Sequence, residues 1–265
     1  MEILKMRKKK LLNIFLFFFL IITTVTAYPF FCSNWDSYFY GNLSNTSLIP
    51  HNEKEKILIS YADTSFKKAM NRSSKLNELM GFEEDTKINS VHGVIPYYHL
   101  LNNLNSIPFA SHLHIGLYTG GSFVGAIYGN QDTLSSAVGI DWFQEDWGYK
   151  KICYDSCNKF LSNYDYKIIE SDCFAIDKSI FQQPINVYVY DADHSKLAHE
   201  KAFTYYNDVL DDLFIAVVDD WEWEDVRQGT FNAFDKLGYV VLYQNKIPGH
   251  EKMGNGQYIA VIRKS

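Results

Sequence analysis

Carboxylates that could bind a metal ion follow two hydrophobic segments in the second half of the chain. The four acids are Asp191, Asp193, Asp219 and Asp220. If the two segments are neighbouring strands, the acids meet at one edge of a sheet, where like charges repel unless a cation or a donor compensates them. Carboxylate ligands favour magnesium, calcium or manganese over softer ions. The pattern therefore predicts a divalent metal site, with capping of the following helices by Asp193 and Asp220 as the alternative.

His194 lies three residues beyond Asp191, at the turn that leaves the first of these segments. Imidazole titrates near neutral pH, which suits a general base that takes the proton of a substrate hydroxyl. A helix-start histidine without a chemical role is the alternative. We expect His194 to be a catalytic residue.

A glycine-rich turn follows an earlier hydrophobic segment and contains Gly116, Gly120 and Gly121. Glycines at a strand-to-helix turn let the backbone approach a ligand closely, although many such glycines only form the turn. Asp141 lies 25 residues after Gly116 and ends the next hydrophobic segment. In nucleotide-binding folds, an acid about 20 residues after the turn binds the ribose hydroxyls. The two features together predict a nucleoside-containing cofactor.

Three further residues could contact the base of such a cofactor. Asp172, which follows the third predicted strand, could accept a hydrogen bond from the adenine amino group, or be a solvated loop acid. Trp142 and Phe143 directly follow Asp141 and could form a wall of the adenine pocket, or be core aromatics. We expect Asp172 and Trp142 to line the cofactor pocket.

Strands and helices that would position these residues alternate from residue 112 onward. Strands are predicted at 112–117, 136–141, 166–170, 185–190 and 213–219, and helices at 121–129, 150–162, 196–210 and 222–237. Such alternation predicts parallel pairing with right-handed crossovers. The last two strands, at 239–244 and 257–263, indicate a terminal hairpin. We expect a doubly wound α/β sheet closed by an antiparallel C-terminal strand, with the ligand crevice at the carboxyl ends of the parallel strands.

Length and composition fit a single globular domain with an N-terminal extension. The chain has 265 residues, of which 47% are hydrophobic and 16% aromatic, enough for a full core. A formal charge of −6 gives no basic surface for nucleic acid, which we therefore exclude as a partner.

The first 27 residues differ in composition from the rest of the chain. A basic stretch precedes an apolar run at 11–22, and Ala27 offers a cleavage point before Tyr28. This pattern predicts a signal peptide or, alternatively, an uncleaved N-terminal anchor, with the domain exported in either case. Contact with a membrane is expected only through this segment. Residues 28–55 are predicted to be a loosely ordered lead-in, and the domain is expected at 56–265, with cap helices within 56–110 that roof the pocket.

The segment from His114 to Ser122, His-Ile-Gly-Leu-Tyr-Thr-Gly-Gly-Ser, resembles the first motif of class I S-adenosylmethionine-dependent methyltransferases. The catechol and macrocin O-methyltransferase groups are the most similar, and the resemblance covers about residues 92–264. It implies a three-layer, Rossmann-like fold of seven strands. It also implies that the methionine part of S-adenosylmethionine is held by Gly116, Tyr118, Gly120 and Ser122.

The same resemblance assigns the remaining site residues. It implies that Asp141 binds the ribose and Asp172 the adenine edge. It implies that Asp191, Asp219 and Asp220 bind magnesium or another divalent cation, Asp191 lying beside the cofactor as well, and that His194 takes the position of the base. The implied reaction is metal-assisted transfer of a methyl group to the oxygen of a small hydroxylated acceptor, such as a sugar or a phenol.

One position departs from the family pattern. The acid that opens the family's first motif is His114 in this chain. The carboxylate that helps to hold the amino-acid end of the cofactor is therefore missing, and a protonated imidazole there would repel an ammonium group. The departure and the predicted export leave an alternative: a secreted or membrane-anchored binding protein that keeps the fold without catalysis.

Overall fold

Short hydrophobic runs that end in glycine or acid form the centre of a seven-stranded sheet. The computed structural model describes residues 51–79, 95–144, 148–249 and 256–265. The predicted leader at 1–27 and nearly all of the predicted lead-in at 28–55 lie outside the described residues. Within the described ranges, no helix is long and apolar enough to cross a membrane.

The strands pair in the order β3-β2-β1-β4-β5-β7-β6. Their bounds are β1 Ala110–Ile115, β2 Leu134–Asp141, β3 Lys167–Glu170, β4 Ile185–Tyr190, β5 Leu210–Val218, β6 Val240–Ile247 and β7 Gln257–Arg263. Strands β1 to β5 pair in parallel, whereas β7 is antiparallel to both β5 and β6. The predicted doubly wound sheet with an antiparallel C-terminal strand is confirmed, and β7 lies between β5 and β6.

Helices cover both faces of the sheet. The α-helices are α1 His51–Met70, α2 Ile95–Leu104, α3 Gly121–Ile127, α4 Tyr149–Phe160, α5 Lys196–Tyr206 and α6 Glu224–Leu237, and short 3-10 turns occupy Lys75–Glu78 and Lys178–Ile180. Helix α2 lies in the segment where cap helices were predicted, whereas α1 begins five residues before it, so the end of the predicted loosely ordered lead-in is helical. Helices α2, α3 and α4 form one group of packed neighbours, and α5 and α6 form the other. The fold therefore has three layers.

Strand β1 shows how the sheet separates its two cores. Leu113 and Ile115 point into the apolar cluster that also contains residues of α5 and α6. Because side chains alternate across a strand, His112 and His114 face the opposite side, where both rings approach Phe123 of α3. All of β1 is buried, so its two histidines lie in a dry environment at the centre of the domain.

Candidate functional site

A cavity of about 710 Å³ opens at the carboxyl ends of the five parallel strands. This volume is in the range of small-molecule sites. Of the residues predicted for the site, eleven line it: Gly116, Tyr118, Ser122, Asp141, Trp142, Asp172, Asp191, Asp193, His194, Asp219 and Asp220. The structure therefore brings together nearly all of the predicted residues in one cavity.

Gly120 is the predicted residue that does not line the cavity. It begins helix α3 with a φ of 82°, and a Cβ atom there would lie 3.0 Å from Sγ of Cys153. Glycine is therefore required by the close packing of the turn against α4 and by the positive φ. The structure gives Gly120 a packing role, while its predicted contact with the cofactor stays a prediction.

Gly116 has a similar packing requirement, at the point where β1 meets β4. Its φ is 88°, and a Cβ atom there would lie 1.7 Å from the carbonyl oxygen of Asp191. The amide of Asp191 donates to the carbonyl of Ile115 at 2.8 Å. Gly116 thus allows the glycine-rich turn and the first residue of the acid cluster to touch through their backbones.

The Asp141 carboxylate holds the glycine-rich turn in place. Its Oδ2 accepts hydrogen bonds from the amides of Leu117 and Tyr118 at 2.7 and 2.9 Å, and its Oδ1 accepts one from Phe143 at 2.8 Å. A carboxylate has about four acceptor positions, so about one is left for a ligand. Asp141 is therefore an organiser of the turn as well as the predicted ribose-binding acid.

The two predicted adenine contacts lie at the mouth of the cavity. Trp142 is 55% exposed, and Asp172 accepts a hydrogen bond from the amide of Phe174 at 2.8 Å. Phe143 packs near Tyr154, with ring centroids 6.2 Å apart, and belongs to the core on that side. Trp142 is thus available to a ligand, whereas Phe143 is a core aromatic, as its alternative interpretation held.

His114 is fully buried and joined to Ser122. Its Nε2 lies 3.1 Å from Oγ of Ser122, and its Nδ1 lies 3.3 Å from Nε2 of His112. Burial, with a smaller contribution from His112, lowers the pKa of His114 well below its usual value. The imidazole is therefore neutral at physiological pH and does not repel an ammonium group.

The buried His112 gives the folded protein a specific sensitivity to acid. Burial lowers the pKa of His112 to about 3, whereas in an unfolded chain histidine titrates near 6.5. Between these values unfolding takes up a proton, so stability falls as the pH falls below 6.5. We expect the free energy of unfolding of the wild type to decrease by about 1.4 kcal/mol per pH unit more than that of His112→Gln between pH 6 and 4.

The measurement is denaturant unfolding of both proteins at several pH values. Groups far from His112 titrate alike in both proteins, so the difference between the two curves reports His112 together with its neighbour His114. Parallel curves would show that His112 is protonated in the folded protein or is accessible to solvent.

Three carboxylates converge where β4 and β5 end. Burial, together with Asp219 and Asp220, raises the pKa of Asp191 well above its usual value. Burial and then Asp220 raise the pKa of Asp219 to about 6. Both shifts come first from burial and then from repulsion among the acids, and a bound cation would relieve that repulsion. Among the described residues, ligand atoms of Asp191, His194 and Asp220 lie within 4.8 Å of one another.

Nε2 of His194 lies 2.7 Å from Oδ2 of Asp220, within hydrogen-bond distance. The hydrogen bond to Asp220 raises the pKa of His194, with burial acting in the opposite direction. The ring also meets Trp223 edge-on, with centroids 5.0 Å apart. A histidine oriented by a carboxylate and an aromatic ring is typical of a proton-transfer group.

Neither Asp193 nor Asp220 is the N-terminal cap of the helix that follows it. Asp193 accepts a hydrogen bond from the amide of Ser195 at 2.8 Å, and Ser195 caps α5. Helix α6 begins after Trp223 without a side-chain cap. Asp220 instead has a φ of 53° and pairs with His194. Asp193 therefore closes the turn before α5, and both acids line the cavity.

Two features of the site have no counterpart among the predicted residues. Gln257, fully buried at the start of β7, donates from Nε2 to Oδ1 of Asp219 at 2.6 Å. Tyr97 and Tyr98 of α2 line the cavity together with the acids. The tyrosine pair carried a usable signal, because two adjacent aromatic hydroxyls lie in a helix predicted to roof the pocket. Gln257 carried none, since a single glutamine at a strand start is common.

Solved structures with a similar fold are O-methyltransferases. An O-methyltransferase from Bacillus cereus in complex with SAH has 15% identity and a TM-score of 0.52, covering 78% of this chain and 100% of that one. The O-methyltransferase TomG from Streptomyces achromogenes, involved in tomaymycin synthesis and in complex with SAM, has 15% identity and a TM-score of 0.50, covering 71% and 89%.

Sequence comparison gives no relative of this kind. No protein-family model matches the chain, and no curated protein matches it. At identities this low, the structural similarity concerns the arrangement of the strands and helices. It agrees with the strand order and with the antiparallel β7 described above. The chain therefore has the fold of the class I S-adenosylmethionine-dependent methyltransferases.

Proposed function

We propose that this protein is an S-adenosylmethionine-dependent O-methyltransferase, assisted by a divalent cation, that acts on a small hydroxylated acceptor. The observation that carries the proposal is the single cavity that joins the glycine-rich turn and Asp141 to the acids Asp191, Asp219 and Asp220. Neighbours of the same fold have SAH or SAM bound, which supports the proposed cofactor. The membership of a catechol or macrocin subgroup stays a prediction.

The chain's residues fit a cofactor in one half of the cavity. The amides of Leu117 and Tyr118 are fixed by Asp141, so the turn is organised before any ligand binds. Trp142, Asp172 and Ser122 line the same cavity, which supports contacts of the first two with the adenine and of Ser122 with the methionine part. S-adenosylmethionine supplies an electrophilic methyl group. Because His114 is neutral, it does not repel the ammonium group of S-adenosylmethionine and does not oppose binding of this cofactor.

The other half of the cavity fits a cation and a proton-transfer group. Asp191, Asp219 and Asp220 bring carboxylate oxygens together, and a bound cation would relieve the repulsion that helps to raise the pKa values of Asp191 and Asp219. Oxygen ligands of this kind suit magnesium or manganese, and a divalent cation favours the deprotonated form of an acceptor hydroxyl. Asp220 orients His194 through the 2.7 Å contact, and His194 takes the hydroxyl proton in the proposed reaction.

Calorimetry with S-adenosylmethionine on the full chain, with and without magnesium, tests the proposal. We expect Asp220→Ala to keep donor binding but to lose about 10- to 100-fold in metal affinity and metal-dependent turnover. The measurements are calorimetry with MnCl2 and release of S-adenosylhomocysteine in the presence of phenols and sugars. Asp193→Ala is the matched control, because this acid lines the same cavity but is not in the group of ligand atoms formed by Asp191, His194 and Asp220, and its carboxylate accepts from the Ser195 amide. Absence of donor binding to the wild type would sink the enzyme proposal.

The alternative function is binding without catalysis by an exported or anchored protein. The replacement of the family's acid by His114, together with the leader predicted at 1–27, favours it. The methyl donor is made in the cytosol, so an exported enzyme would need a supply of it. Determining the N-terminus of the native protein tests export directly. A new terminus at Tyr28 supports it, and an intact leader on a cytosolic protein contradicts it.

A further inference from the structure

Tyr97 carries a buried hydroxyl group that has no hydrogen-bond partner among the described residues. The residue lies near the start of α2, is 2% exposed and lines the cavity. Buried polar groups nearly always have a partner, and leaving one unsatisfied is costly. An unsatisfied hydroxyl on a residue that lines a ligand cavity indicates a partner supplied by the ligand.

Helix α2 holds Tyr97 in a fixed position against the sheet. The Asn102 side chain donates from Nδ2 to the carbonyls of Gly125 and Tyr128 at 2.7 and 2.8 Å, at the end of α3. Asn130 returns a hydrogen bond to the carbonyl of Asn102 at 2.9 Å. The tyrosine is therefore presented by a rigid element, as expected of a group that positions a ligand.

Tyr97 lies beside the acid half of the cavity. Asp191, Asp219 and Asp220 line the same cavity and lie close enough to Tyr97 for their charges to act on it. A phenol keeps its proton at neutral pH, and burial followed by these acids raises the pKa of Tyr97 further. The group is therefore a hydrogen-bond donor.

We propose that Tyr97 binds the methyl acceptor, donating a hydrogen bond to an acceptor oxygen held beside Asp191. This inference rests on the proposed function and adds a binding residue to it. Because α2 precedes the first strand, the segment before the sheet supplies a polar contact to the acceptor as well as a roof over it. Tyr97 holds the oxygen in place, and no proton needs to leave the phenol.

The first test measures thermal unfolding of the full chain without ligands. Removing an unsatisfied hydroxyl by Tyr97→Phe should leave the melting temperature unchanged or raise it. Tyr188→Phe is the matched control, because this tyrosine is fully buried and donates to the carbonyl of Ala202 at 2.9 Å. We expect the control to lower the melting temperature by about 2–4 °C. An equal decrease for Tyr97→Phe would show that its hydroxyl already has a partner in the protein and would overturn the inference.

The second test measures binding of two hydroxylated probes, catechol and methyl glucoside, with S-adenosylhomocysteine and MgCl2 present. We expect at least one probe to bind the wild type and the Tyr188→Phe control alike, and about 5- to 20-fold more weakly to Tyr97→Phe. Equal affinity for Tyr97→Phe, or no binding of either probe to the wild type, overturns the inference. Donor binding to the wild type is measured in parallel, and only its absence argues against the proposed function itself.

Discussion

Gly116→Ala is expected to destabilise the protein by about 3–6 kcal/mol, a large part of the stability of a typical domain. The new Cβ atom would lie 1.7 Å from the carbonyl oxygen of Asp191, and the φ of 88° disfavours any side chain. The backbones of β1 and β4 would have to separate, moving the glycine-rich turn away from the acid cluster. Denaturant unfolding measures the loss, and donor calorimetry should show weakened binding in any folded fraction.

Gly148→Ala is the matched control for this substitution. Gly148 has a φ of 87°, but no described atom lies within 4 Å of a Cβ atom built there. It therefore reports the cost of the backbone conformation alone, which we expect to be about 1–2 kcal/mol. If both variants lost the same stability, the contact between Gly116 and Asp191 would not be as close as described.

Asp141→Ala is expected to remove both donor binding and part of the protein's stability. Three amides, those of Leu117, Tyr118 and Phe143, would lose a charged acceptor. Hydrogen bonds to charged groups contribute about 1.5–3 kcal/mol each, but water replaces some of them at this partly exposed site, so we expect a loss of about 2–4 kcal/mol. The affinity for S-adenosylmethionine should fall by at least about 100-fold, since the turn and one ligand contact are lost together.

Asp141→Asn separates the two effects. The amide oxygen can still accept from Leu117 and Tyr118, but the amide nitrogen would then face the N–H of Phe143, donor against donor. We expect stability and affinity between those of the wild type and Asp141→Ala, measured by unfolding and by calorimetry. Donor binding to Asp141→Ala as strong as that to the wild type would show that the turn needs neither the carboxylate nor its hydrogen bonds.

The order and type of the elements could be read from the sequence because hydrophobic runs and breakers alternate clearly after residue 110. The predicted ends of helices and strands were less accurate where the composition of a segment disagrees with its strand pairing. Strand β6 was predicted to end at residue 244 but continues to Ile247, because Asn245 and Lys246 pair with β7 despite their polar side chains. Helix α5 was predicted to reach residue 210 but ends at Tyr206, since Leu210 already pairs with β4.

The sequence predicts which residues lie at the site, but it does not predict their hydrogen-bond partners. The acids at the strand ends share one cavity because the carboxyl ends of parallel strands meet at one edge. The link between Asp219 and Gln257 joins residues 38 positions apart and depends on β7 lying beside β5. The three amides on Asp141 likewise depend on the exact path of the turn, which glycine spacing does not determine.

The buried pair His112 and His114 also determines which group donates and which accepts in the hydrogen bonds that lead from His112 to Ser122. Among the described residues, Nδ1 of His112 has no partner. A bare nitrogen lone pair is easier to bury than an N–H without an acceptor, so the proton of His112 belongs on Nε2, directed at Nδ1 of His114. The proton of His114 then belongs on its Nε2 and is donated to Ser122.

The Ser122 hydroxyl therefore accepts a hydrogen bond from His114, and its own hydrogen can be donated to a ligand in the cavity that Ser122 lines. The methyltransferase family that the first motif resembles has an acid at the position of His114, and that acid attracts an ammonium group. In this chain the imidazoles of His112 and His114 orient Ser122 so that its hydroxyl can donate a hydrogen bond into the cavity. Such a donor matches a carboxylate. The protein would therefore bind the amino-acid end of a ligand through its carboxylate and not through its ammonium group.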